Sequence, residues 1–102
     1  MRRRRFADVI GRQLDLFEHE HRGLIEDCAA AERAYNEAPR DEAEERYGDY
    51  VDLVETGTEV LADLRDNFAS TLDNATAAEY EEAFNRAVAK RFRRFALEIE
   101  DR

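Results

Sequence analysis

The sequence predicts an all-α fold, an antiparallel up-down-up three-helix bundle with long helices, and three observations carry that expectation. Apolar residues recur every three or four positions through nearly the whole chain, the spacing that gathers them on one face of a helix. Charged residues make up 40% of the 102 residues, while Pro occurs once and Gly four times, a composition of surface-charged helices rather than of strands and turns. Two stretches of turn chemistry, at Pro39 and at Asp73-Asn74, divide the chain into three segments. At this length residues 1–102 make one domain with a single core.

The first helix is expected over residues 4–37. Its stripe is Phe6, Ile10, Leu14, Phe17, His21, Leu24, Cys28, Ala31 and Tyr35. Asn36 before Pro39, with Asp41 and Glu42 after it, reads as a stop and a new start. The second helix, over residues 39–72, carries Ala43, Tyr47, Tyr50, Val54, Gly57, Leu61, Leu64 and Phe68. The third, over residues 76–100, carries Tyr80, Phe84, Val88, Arg91, Phe95 and Ile99. Thr76 followed by Glu79 reads as a capping box. Acids in the early turns and bases in the later ones suit the helix dipole.

Charge is segregated along the chain. The formal net charge is −9, which argues against a nucleic-acid partner. Residues 37–66 hold eleven acids and three Arg, whereas residues 86–94 hold five bases and no acid. In an up-down-up bundle Asp41, Glu42, Glu44 and Glu45 are then expected to face Arg93 and Arg94. Arg2, Arg3, Arg4 and Arg5 oppose the dipole at a helix start and are expected to fray, or to form an arm that docks on an acidic helix. Asp8, Gly11, Arg12 and Asp15 interrupt any apolar run of the kind an export signal needs. No segment approaches the length of a membrane span, and one lone cysteine fits a reducing compartment, so the expected location is cytoplasmic.

Each stripe has one exception, and the three coincide in height. His21 lies 18 residues before Pro39 and Gly57 lies 18 after it. Gly57 lies 17 before Asn74 and Arg91 lies 17 after it. Regular antiparallel helices therefore bring His21, Gly57 and Arg91 to one level. A helical glycine on an apolar seam makes room for a neighbour, and Arg91 is the candidate side chain. A buried guanidinium needs a counter-charge, which Glu18, Glu20 or Glu59 can supply. The expected outcome is a mid-bundle polar layer that fixes helix register.

Function is far less constrained. Glu18 and His21 have the Glu-x-x-His spacing of metal-binding bundles, but two histidines in the chain and Arg91 at the same level make a metal site a weak candidate. No cofactor-binding or catalytic motif is present, and Cys28 on the apolar stripe reads as an inert thiol. The leading expectation is a non-enzymatic interaction module. It would form a homodimer, or bind a protein partner, through surplus apolar surface at Val9, Leu16, Ile25, Leu53 and Val60 on helices 1 and 2. The alternative is a small-ligand or metal-binding bundle using the layer of His21, Arg91 and Glu18 or Glu20.

Overall fold

The computed structural model describes residues 5–102, so Arg2, Arg3 and Arg4 and the expectation of fraying there lie outside the described residues. The described chain is all-helical, but it holds five helices where three were expected. They are α1 (Ala7–Glu20), α2 (Arg22–Glu37), α3 (Ala43–Ala69), α4 (Asn74–Arg91) and α5 (Ala96–Asp101). A short 3-10 turn, Arg93–Phe95, joins the last two.

The first expected helix is broken at His21, whose backbone (φ −120°, ψ 30°) leaves the helical region. Hydrogen bonds from His21 N to Phe17 O and from Ile25 N to His21 O continue across the break, so it is a kink rather than a loop. Gly23, a weak helix former in the first turn of α2, lowers the resistance to bending there. The second helix begins at Ala43 and not at residue 39, because Pro39 to Glu42 closes a separate turn with Glu42 N donating to Pro39 O at 2.9 Å. The third begins at Asn74, two residues earlier than expected. Asp73 is its cap: Oδ1 accepts from Thr76 N at 2.9 Å and Oδ2 from Thr76 Oγ1 at 3.0 Å. Those bonds, first the Thr76 amide, hold the Asp73 carboxyl below the usual range. Thr76 and Glu79 therefore do not form a capping box.

The break after α4 has a physical reason in Arg91. A continuous helix would carry Arg91 along the seam of Tyr80, Phe84 and Val88, all fully buried, where a charge is costly. The chain instead leaves the helix at Phe92 (φ −128°, ψ 70°). Phe95 and Ile99 then turn inward and Arg91 stays outside. The folding back is visible at Arg65, whose Nη1 donates to Asn85 Oδ1 at 2.9 Å and to Ile99 O at 3.0 Å. A straight helix would hold residues 85 and 99 about 21 Å apart.

One core joins Ile10, Leu14 and Phe17 of α1, Cys28 of α2, and Val54, Leu61, Ala62 and Ala69 of α3. Tyr80, Phe84, Val88, Phe95 and Ile99 complete it. Val9, Ile25, Leu53 and Val60 pack half-buried against it, and of the surplus apolar residues only Leu16 stays exposed, at 49%. No residue from 29 to 53 is buried. The distal parts of α2 and α3 thus leave the core as a paired arm, and the molecule measures 50 × 26 × 22 Å. Among the described residues no helix is long and apolar enough to cross a membrane.

Candidate functional site

His21, Gly57 and Arg91 meet at one level, but through aromatic rings rather than polar contacts. His21 stacks on Phe17 with centroids 5.5 Å apart, and Phe17 meets Phe92 at 5.3 Å and Phe95 at 6.0 Å edge to face. Gly57 is buried because the Phe95 ring occupies its side-chain space: a Cβ there would lie 2.5 Å from Phe95 Cε1. Phe95, not Arg91, is the side chain for which Gly57 makes room.

Arg91 lies on the surface side of this layer, its side chain 35% exposed. It donates to Asp15 at 2.7 Å and to Glu18 at 2.6 Å. The Glu18 bond is the main reason its pKa is raised. Glu20 and Glu59 are exposed and make no ion pair with Arg91. The expected buried polar layer is therefore an aromatic layer with one ion-paired cation at its edge. Among the described residues no group of three His, Cys, Asp or Glu side chains is placed to hold a metal ion, and Glu18 is already taken by Arg91. Arg94 bonds Glu32 at 2.9 Å on α2, instead of meeting Asp41, Glu42, Glu44 or Glu45, because the break at Phe92 turns the chain back before it reaches the tip of the arm.

The charge that is buried is Arg65, which the stripe of α3 passes over. Its side chain is 4% exposed and its Nε donates to Asp66 Oδ1 at 2.8 Å. Its position four residues after Leu61 was the available signal, since i and i+4 share a helix face.

Beside the layer lies a groove of about 610 Å³ between α1 and α4. The two helices run parallel and are held together at both ends. At one end Phe6 packs on Tyr80 at 5.5 Å, and the Tyr80 hydroxyl donates to Gln13 Oε1 at 2.8 Å. At the other Phe17 meets Phe92 and Arg91 meets Asp15 and Glu18. Between these wedges the facing residues are small: Gly11 on α1, Ala83 and Ala87 on α4. With rings propping the ends and nothing bulky in the middle, a trough remains. Ile10 and Leu14 make its apolar floor, and Phe6, held in the left-handed region at φ 69°, closes one end.

The rim is cationic. Arg5, Arg86, Lys90 and Arg91 line it with Glu79 as the one acid. Three of the cations are partly satisfied: Arg5 by Glu79 at 3.4 Å, Arg86 by Glu82 at 2.8 Å, and Arg91 as above. These pairs are exposed and worth about 0–1 kcal/mol each, so an incoming carboxylate can compete for them. Lys90 has no ion-pair partner among the described residues. In a chain of net charge −9, this is a place built to receive an anion beside an apolar surface.

Comparison with known proteins leaves function to this geometry, since no protein-family model, no curated protein and no solved structure matches the chain.

Proposed function

We propose that this chain is a non-enzymatic interaction module whose working surface is the α1–α4 groove, and that the groove takes an acidic segment with an apolar face. The observation that carries this is the pairing of a half-enclosed apolar trough with a rim of four cations, one of them unpartnered. Apolar burial supplies affinity and the cations supply orientation and selectivity. Groove recognition of an amphipathic helix is a recurrent mode for such a shape. The surplus apolar face of helices 1 and 2 no longer motivates contact, because most of it is packed against the core.

Binding rather than catalysis is also supported by the state of the reactive groups. Cys28 is fully buried, and desolvation raises its pKa, the reverse of what activates a thiol. The Tyr80 phenol is pushed up to about 12, chiefly by burial. A second reading draws on the groove volume, which suits an acyl-chain carboxylate lying on Ile10 and Leu14 with its head at Lys90.

The test uses a fluorescein-labelled synthetic helix with leucines on one face and glutamates on the other. Fluorescence anisotropy should show saturable binding that Gly11→Trp and Lys90→Glu each weaken by about tenfold or more, equivalent to about 1.4 kcal/mol. Equal affinity of the wild type and both variants would remove the groove from the account. Native mass spectrometry separates the second reading, since a bound fatty acid would appear as a retained adduct that Gly11→Trp abolishes.

A further inference from the structure

We infer that the acidic segment is supplied by the α2–α3 arm of a second copy of this chain, in a closed antiparallel dimer. The inference rests on the groove reading above and names its partner. The arm, residues 29–53, contributes nothing to the core yet carries eight acids against three Arg. Arg46 is shared between Glu42 and Asp49. Asp41, Glu44 and Glu45 make no ion pair among the described residues. The arm therefore has acids without cations, and the groove has Lys90 without an acid.

The arm also presents apolar surface of the right kind. Tyr35 and Tyr47 lie with ring centroids 5.2 Å apart and remain 38% and 51% exposed. Tyrosine gives large contact area at low entropic cost and is over-represented in interface centres. Two adjoining phenols can enter the trough over Gly11 while the neighbouring carboxylates reach Lys90 and Arg86.

The positions of arm and groove let both contacts form at once. The groove lies on the side of the aromatic layer where α1 and α4 begin, and the arm projects on the opposite side. A half-turn about an axis crossing the 50 Å length at that layer sets each arm beside the other copy's groove. The contact is then reciprocal and the assembly closes at two copies.

The experiment measures mass by light scattering and sedimentation equilibrium over a concentration series to the millimolar range. Gly11→Trp fills the groove, and Cβ at Gly11 meets nothing within 4 Å, so the fold is left intact. The double variant Tyr35→Ser, Tyr47→Ser disables the arm at exposed positions, and circular dichroism melts confirm folding of both. The wild type is expected to dimerise reversibly and more weakly at high salt, and each variant alone to be monomeric. An equimolar mixture of the two variants is expected to recover a heterodimer through its one intact arm–groove pair. A wild type that stays monomeric at millimolar concentration, a dimer that Gly11→Trp leaves unchanged, or a mixture that stays monomeric would overturn the inference. If the labelled acidic helix still binds in a Gly11→Trp-sensitive way, only the self-partner falls. If that binding is also absent, the groove reading falls with it.

Discussion

At the residue scale, two glycines in helices have opposite reasons to exist. The space beside Gly57 is filled by the Phe95 ring, 1% exposed, so even a methyl group must displace a buried aromatic. Gly57→Ala gains about 1 kcal/mol of helix propensity but incurs overpacking of about 1–3 kcal/mol, and is expected to destabilise in urea denaturation. Gly11→Ala meets open space and is expected to stabilise by about 0.5–1 kcal/mol. The reverse order would place Phe95 elsewhere. Tyr80 supplies a pH test. Its folded pKa of about 12 lies above the ordinary 10, so folding favours the neutral phenol. The contribution is complete below pH 10 and is lost as pH rises through 12. Phenolate absorbance of the wild type should show a late step near 12 that Tyr80→Phe removes, and identical titrations would contradict the buried assignment. The glycine at position 57 was legible as an exception in its stripe because its spacing is a property of α3 alone. Which neighbour filled it was not, because Phe95 arrives only after a break that no local signal announces.

At the element scale, the account turns on how α5 is held. Arg65 reaches from α3 to a C-terminal carbonyl of α5, at Ile99, and to Asn85 on α4, supplying an acceptor that helix ends otherwise leave unmet. Asp66, its carboxylate partner, is 54% exposed, so removing the cation strands two neutral acceptors rather than a buried charge. Arg65→Met is expected to cost about 1–3 kcal/mol and to speed hydrogen exchange in α5 more than in α3. Arg91→Met removes only exposed pairs and is expected to cost about 1 kcal/mol or less. A larger loss for Arg91 than for Arg65 would invert the assignment of the buried cation. The stripes of α1, α3 and α4 could be read directly because burial follows the 3.6-residue period, as at Ile10, Leu14 and Phe17. The breaks at His21 and Phe92 could not. Neither carries Pro or Gly at the break itself, and each is chosen by packing between distant segments: a ring on Phe17, and an arginine kept out of the core.

At the scale of the whole molecule, the shape divides the work between a body and an arm. The body holds every buried side chain, and the arm holds paired helices with none. Amides of the arm are therefore expected to exchange through local opening well below the global unfolding free energy, while those of Phe17, Leu61 and Val88 report global unfolding. Uniform protection along α2 and α3 would mean that the arm is covered. The groove itself was invisible in the sequence, since it arises from what Gly11, Ala83 and Ala87 lack and from rings that prop α1 and α4 apart at positions far separated along the chain. The central claim is that this groove is the surface through which the protein acts. Its most direct test is a two-dimensional amide NMR titration of the labelled protein with the glutamate-and-leucine helix. The account predicts shifts centred on Ile10, Gly11, Leu14, Ala83, Ala87 and Lys90, lost in Gly11→Trp. Shifts confined to other faces of the body, or none at saturating peptide, would contradict it.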